Sequence, residues 1–75
     1  MADGVYRVTE IVGSSSAGVA EAIEVAATRA AQTLRHLDWF EVTDIRGHFE
    51  NDTIAYYQVT MKVGFRLEDA ETPAS

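Results

Sequence analysis

The chain has 75 residues, a formal net charge of −6 at pH 7 and no cysteine. This length suffices for one small domain, and without disulfides or thiolate metal sites the usual remaining support for so small a fold is oligomerisation. The twelve acidic residues outnumber the six basic ones, which argues against nucleic acid or an anionic membrane surface as a partner, because clustered Lys and Arg recognise both.

The first two predicted elements are a strand and a long helix. Val5–Val12 is rich in β-branched residues and predicts a strand that a glycine and three serines interrupt. One of the serines, Ser14–Ser16, is expected to cap the next element. That element is a helix from about Ala17 to Leu37, and much of its apolar stripe is alanine, which allows close approach to a sheet. The apolar residues of this stripe recur at spacings of three and four: Val19, Ile23, Ala26, Ala27, Ala30, Leu34 and Leu37.

A second strand and a turn follow the helix. Trp39–Phe49 predicts the strand, in which Ile45 follows Val42 by three positions instead of two. One inserted residue would explain this spacing, so we expect a β-bulge within Thr43–Gly47. The polar segment Glu50–Thr53 predicts a hairpin turn.

The third strand, Ile54–Glu68, has the clearest pattern. Its period-two alternation predicts that one parity faces the helix: Ala55, Tyr57, Val59, Met61, Val63, Phe65 and Leu67. One helix covers only one face of a three-stranded sheet, so the other face exposes Tyr56 and Gln58, with Trp39 beside them. Taken singly, such residues more often have a structural role. Together they form a large patch for a monomer, which another subunit or a flat ligand would cover.

Residues 1–68 are predicted to form a single domain, and the acidic tail Asp69–Ser75 is expected to be disordered. No apolar run approaches the length of a membrane span, and the N-terminal residues do not resemble a signal peptide. We therefore expect a cytoplasmic protein. Two histidines without cysteine are too few for a zinc site unless carboxylates join them, and no metal site is predicted.

Three segments closely resemble the dodecins, which are small flavin-binding proteins of bacteria and archaea. These segments are YRVTEIVG (6–13), TLRHLDWFEVTDIRGH (33–48) and YQVTMKVGFRL (57–67). The resemblance extends over about residues 5–68. It implies an α+β fold: a β-α-β-β subunit whose bent, three-stranded antiparallel sheet wraps around one long helix, and which assembles into a hollow homododecamer.

The resemblance also implies a flavin site at the subunit interfaces. Trp39 matches the tryptophan that stacks on paired isoalloxazine rings, and Gln58 matches a glutamine that binds their pyrimidine edge. Asp44 matches an acidic position near the ribityl chain. Arg46 and Arg66 match arginines of the bacterial members that bind FMN. FMN is therefore the expected cofactor, with riboflavin or FAD as alternatives, and Arg66 is the leading candidate for the phosphate contact.

The spacing along the third strand limits how one site can be built. Gln58 and Arg66 are eight residues apart, or about 27 Å in an extended strand, which one flavin nucleotide cannot span. If both contact the same FMN, they come from different subunits. His48, two residues from Arg46, is expected to line the site or the pore between subunits.

The leading functional prediction is flavin storage and buffering, with stacked Trp39 quenching the photochemistry of the bound flavin, and not catalysis. One alternative is a shell protein that binds coenzyme A or another small ligand. Another is a weak flavin-dependent oxidoreductase that would use His36, Asp38, Asp44 or His48. His36 near a helix end is more commonly a cation that stabilises the helix dipole.

Overall fold

The computed structural model describes residues 4–67, which form three strands and one helix in the order β-α-β-β. The elements are β1 (Tyr6–Ser15), α1 (Val19–Thr33), β2 (Leu37–Glu50) and β3 (Thr53–Arg66). The sheet is antiparallel with the strand order β1-β3-β2, so β3 is paired on both sides. The predicted α+β class is confirmed. The tail Asp69–Ser75 and the end of the predicted third strand, Glu68, lie outside the described residues.

The first strand is longer than predicted, because Gly13 continues it to Ser15. Gly13 pairs with Val59 of β3, and the helix packs directly upon it. A Cβ atom at position 13 would lie 2.8 Å from the Cβ of Ala26 and would overlap the carbonyl oxygen of Ala22. The glycine therefore permits close contact between strand and helix and does not end the strand.

The helix begins later than predicted, and the prediction of a serine cap is wrong. Gly18 occupies the N-cap position, and its carbonyl accepts the first helical hydrogen bond from the Ala22 N–H at 3.0 Å. Among residues 4–67, no side chain caps this end. The Oγ of Ser15 accepts a hydrogen bond from the Ala17 N–H at 3.0 Å, but both residues precede the helix.

The helix also ends earlier, at Thr33 instead of Leu37, because Leu34 already has an extended backbone. His36 then adopts a φ of 61°, in the left-handed region, and its carbonyl accepts a hydrogen bond from the Arg66 N–H at 3.0 Å. Leu37 consequently begins β2. The last turn of the helix contains no basic residue, so the interpretation of His36 as a helix-stabilising cation is also wrong.

The core lies between the helix and the centre of the sheet. It consists of small residues of α1 and larger residues of β3: Ala22, Ala26, Ala30, Val59, Met61 and Val63. Partly buried apolar residues from β1, α1 and β2 surround it: Ile11, Ile23, Ala27 and Val42. This arrangement confirms both the predicted helix-facing parity of the third strand and the close packing of the alanine stripe. Burying side chains such as Val59 and Met61 stabilises the fold by about 1.5–3 kcal/mol each.

The predicted bulge in β2 is confirmed and lies at Thr43. The register shifts between Val42 and Asp44, which leaves Thr43 as the additional residue. As a result Val42 and Ile45 both pair with buried residues of β3 and lie on the same face of the sheet. Two further register shifts, near the ends of β2, were not predicted.

The turn between β2 and β3 is a two-residue hairpin, as predicted. Asn51 and Asp52 have φ values of 53° and 65°. Positive φ at both central residues is the signature of a type I′ turn, whose twist matches that of the flanking strands. The Oγ1 of Thr53 donates a hydrogen bond to the Glu50 carbonyl at 3.0 Å and closes the turn.

The chain is elongated, with principal extents of 58 × 19 × 15 Å. Its radius of gyration is 16.0 Å, compared with about 11 Å for a compact domain of this length. The helix packs mainly against β1 and β3, so the β2–β3 hairpin extends beyond it. Phe40, Ile45 and Phe49 of β2 are therefore 51%, 54% and 79% exposed. Among the described residues, no helix has the length and apolar character that crossing a membrane requires.

Candidate functional site

The sheet face opposite α1, here called the open face, carries all six residues predicted for the site. On β3 this face is formed by the even-numbered residues from Tyr56 to Arg66. Alternation along β3 turns these residues away from the buried side chains of the core. The register divides the predicted residues of the open face into two groups: Trp39 and Arg66 in one, Asp44, Arg46, His48 and Gln58 in the other.

The first group, Trp39 and Arg66, lies near the end of β3, and its aromatic part is built around Trp39. Trp39 pairs with Gly64, and a Cβ atom at position 64 would overlap the six-membered part of the indole. The rings of Trp39 and Tyr6 are 5.4 Å apart at 59°, which is a tilted aromatic pair. Trp39 as a whole residue is nevertheless 43% exposed. We call Trp39, Tyr6 and Gly64 the indole platform, since one strand supports the indole while much of its surface remains accessible.

Arg66 lies beside the indole platform. It pairs with Tyr6 in the β1–β3 register, and its side chain is exposed. Within residues 4–67, no carboxylate forms an ion pair with its guanidinium. A positive charge in this position is suited to bind a ligand phosphate, because guanidinium and phosphate form bidentate hydrogen bonds.

The second group is polar and lies nearer the hairpin. Asp44 and Arg46 form an exposed ion pair, in which both Nε and Nη2 of the arginine are 3.2 Å from the carboxylate Oδ2. Such a surface pair contributes at most about 1 kcal/mol to stability. The carboxylate and the guanidinium nonetheless each occupy part of the other's hydrogen-bonding capacity. Arg46 therefore has less of its guanidinium available for a phosphate than Arg66 has.

Gln58 is the centre of the polar group. Its Oε1 lies 2.7 Å from the Nε2 of His48, and its own Nε2 donates a hydrogen bond to the Oγ of Ser14 at 3.3 Å. The His48 ring stacks on Tyr56, with centroids 4.5 Å apart and an angle of 13° between the rings. We call His48, Gln58, Ser14 and Tyr56 the amide cluster.

Within one chain the indole platform and the amide cluster do not meet. Gly64, which pairs with Trp39, is six residues from Gln58 on the continuous strand β3. This separation corresponds to about 20 Å. Gln58 and Arg66 also lie on that strand, at the separation expected from the sequence. The structure therefore does not bring Trp39 and Gln58 together, although it places both on one face.

Three residues of these groups were not predicted: Tyr6, Ser14 and Gly64. Tyr6 and Ser14 have the same parity on β1, so alternation alone would have placed them on one face. Only the pairing of β1 with β3 shows that this is the face of Gln58. Gly64 gave no signal, because a glycine within a strand is informative only when its neighbour is known.

The remaining candidates for chemistry are not assembled into a site. His36 lies in the connection between α1 and β2, and Asp38 lies at a register shift in β2. In the part of the chain that the structure describes, no three His, Asp or Glu residues are grouped so that they could hold a metal ion. A groove of about 1030 Å³ lies between α1 and β1, and of the two groups described above it is lined by Ser14 alone.

The fold and the open face define a small β-α-β-β binding protein whose candidate site faces away from its helix. The chain belongs to the dodecin family, whose sequence profile matches residues 5–68. This family is one of small binding proteins and not a family of enzymes.

Individual relatives support this assignment. The dodecin of Thermus thermophilus is 52% identical over 65 residues, which cover 87% of this chain and 94% of that protein. The structure of dodecin from Streptomyces coelicolor is similar with a TM-score of 0.87 at 56% identity, over 93% of this chain and 100% of that one. Dodecin from Streptomyces davaonensis has a TM-score of 0.86 at 54% identity, over 91% and 100%.

Proposed function

We propose that this chain is the subunit of a homododecamer that binds, stores and buffers FMN. Family membership supports the proposal, but the observation that carries it is the indole of Trp39. It lies on the open face, supported by a glycine backbone, and the residue as a whole is 43% exposed. A flat aromatic ligand is the natural partner of such a surface, because offset stacking adds about 0.5–1.5 kcal/mol to the burial of apolar area.

The shape of the chain supports an assembly. The radius of gyration exceeds that of a compact domain by nearly half, and large apolar side chains are exposed on both sides of the sheet. On β2, Phe40 and Ile45 lie on the core side but remain 51% and 54% exposed. Apolar area of this kind is costly for a monomer, and further copies of the chain would remove it from water.

The separation of the two groups on the open face supports a site between subunits. Within one chain, Trp39 and Gln58 are about 20 Å apart. A flavin that stacks on the indole of one subunit would therefore meet the amide of another. Two flavins stacked between indoles from symmetry-related copies satisfy this geometry, and their binding would depend on the assembled shell.

Storage is favoured over catalysis for two reasons. A flavin sandwiched in a stacked pair leaves little room for a substrate beside its reactive edge. In addition, the titratable side chains nearest the centre of the open face have partners: His48 contacts Gln58, and Asp44 contacts Arg46. Electron transfer from the stacked indole would quench the excited flavin and thereby suppress its photochemistry.

Titration of FMN fluorescence tests the proposal. Wild-type protein should quench FMN, and Trp39→Ala should relieve the quenching and weaken binding by at least about fivefold, since the stacking contribution alone approaches 1 kcal/mol. Trp39→Phe is the matched control, because it retains a smaller aromatic ring and should have an intermediate effect. Sedimentation velocity would confirm that the variants are still assembled. An assembled Trp39→Ala protein that binds FMN as tightly as wild type would contradict the proposal.

A further inference from the structure

Gln58 is held between side chains of the two neighbouring strands. Its Oε1 accepts a hydrogen bond from the Nε2 of His48 on β2, and its Nε2 donates one to the Oγ of Ser14 on β1. Because β3 is the central strand, the two partners approach the amide from opposite sides. We propose that His48, assisted by Ser14, is a positioning residue that determines which edge of the Gln58 amide faces a flavin. This inference rests on the proposed flavin site.

A glutamine without such partners would not discriminate between ligand edges. Its terminal amide can rotate by half a turn, which exchanges the donor and acceptor positions. The hydrogen bond from His48 holds Oε1 towards β2, and the one to Ser14 holds Nε2 towards β1. One lone pair of Oε1 and one hydrogen of Nε2 then remain for a ligand. The amide thus presents one acceptor beside one donor, in a fixed order.

This pair of groups is complementary to an imide, in which an N–H lies beside a carbonyl. The pyrimidine ring of an isoalloxazine has such an imide, with its N3–H between two carbonyls. An acceptor at Oε1 would receive the N3–H, while the donor at Nε2 would bind an adjacent carbonyl. The orientation of Gln58 would therefore decide how strongly the site recognises the unsubstituted imide.

The contact with His48 dominates this arrangement. At 2.7 Å it is shorter than the 3.3 Å contact with Ser14. In this orientation the Nε2 of His48 carries a ring proton, because Oε1 can only accept. The His48 ring is itself held by stacking on Tyr56. Both His48 and Gln58 are half-buried, so water competes less for this hydrogen bond than it does at an exposed position.

The test compares riboflavin with N3-methylriboflavin, which lacks the imide hydrogen, by fluorescence titration of the assembled protein. Wild type should prefer riboflavin by about twofold to tenfold, the worth of one net hydrogen bond. His48→Leu should lower this preference towards one, since the amide is then free to rotate. His48→Gln, which restores an N–H donor, should recover most of the preference. Gln58→Ala should abolish it, and Arg7→Ala, on the opposite face of the sheet, should leave it unchanged.

The possible failures are distinguishable. If wild-type protein binds neither these two flavins nor FMN, the proposed function itself is overturned, and if it binds FMN alone, the inference about the imide is overturned while the proposed function stands. If wild type binds both but His48→Leu retains the full preference, the positioning role is overturned while the flavin site stands. A preference that is missing in wild type, or that persists in Gln58→Ala, would likewise overturn the inference, since recognition of the imide would not depend on this amide.

Discussion

The indole of Trp39 covers the backbone of Gly64, its partner in the β2–β3 register. The two residues lie on different strands, and the absence of a side chain on one allows the other to lie against the sheet. A larger residue at position 64 would move the indole away from the sheet and towards Tyr6 or solvent. The position of the proposed flavin-stacking surface therefore depends on a residue that need not touch the ligand.

Gly64→Ala should weaken FMN binding by at least about fivefold, because accommodating an additional methyl group in a close contact typically costs about 1–3 kcal/mol. The free protein can avoid much of this cost by rotating the exposed indole into solvent, so we expect the subunit to remain folded. Fluorescence titration measures the affinity, and the tryptophan emission spectrum reports the displacement of the indole.

A double-mutant cycle with Trp39→Ala separates this effect from general damage. If Gly64 acts through the indole, Gly64→Ala should cause no further loss of FMN affinity once Trp39 has been removed. Additive losses in the double variant would mean that Gly64 affects the site by another route.

Arg66→Ala should weaken FMN binding by about tenfold to a hundredfold, the usual contribution of a hydrogen bond to a charged group, and should leave riboflavin binding nearly unchanged. Arg46→Ala should discriminate less between the two flavins, because Asp44 already occupies part of its guanidinium. Parallel titrations with both flavins at one ionic strength measure the difference.

Arg7→Ala is the matched control for these arginine variants. Arg7 pairs with Phe65 and therefore lies on the face opposite Arg66, but its replacement changes the net charge by the same amount. It should affect FMN and riboflavin equally and weakly. If Arg66→Ala reduces binding of both flavins to the same extent, Arg66 does not contact the phosphate.

Phe40→Asp should dissociate the assembly and abolish FMN binding with it. The side chain lies on the core side of β2 and is 51% exposed in the single chain. In an assembly it would be buried, and burying an unpaired carboxylate costs several kcal/mol. Sedimentation velocity measures the mass, and Phe40→Leu, which stays apolar, should remain assembled. A Phe40→Asp protein of unchanged mass would show that this surface is not a subunit interface.

Much of the fold was predictable from local patterns. The alternation in β3 identified the buried residues Val59, Met61 and Val63, and the irregular spacing between Val42 and Ile45 revealed the bulge. These predictions were confirmed because each follows from side chains within a few residues of one another along one strand. The positive-φ turn at Asn51–Asp52 is local in the same sense.

The ends of the helix were not predictable in this way. Leu34 and Leu37 continue the apolar spacing of the helix, yet the backbone leaves the helix before them. Leu37 instead pairs with Phe65 of β3. A hydrophobic pattern shows that a residue will be covered but does not identify the element that covers it, and here pairing with the sheet overrides helix propensity. The same limitation explains why Gly13 was taken for a strand end.

The candidate site was predictable residue by residue but not as an arrangement. The sequence placed Trp39, Gln58 and Arg66 on one face and showed that the last two are far apart. It did not show that Ser14 and His48 enclose Gln58, nor that Asp44 engages Arg46, because these contacts depend on strand order and register.

The sequence by itself determined the class of fold, the buried face of the sheet and the residue types available to a ligand, since periodicity and composition act over short stretches of chain. Only the tertiary structure decided that β3 is the central strand, that Trp39 lies on Gly64, and that the indole platform and the amide cluster are about 20 Å apart. The physical reason is that hydrogen bonds between strands set the register, and the register joins residues that are distant in sequence while separating others on the same face.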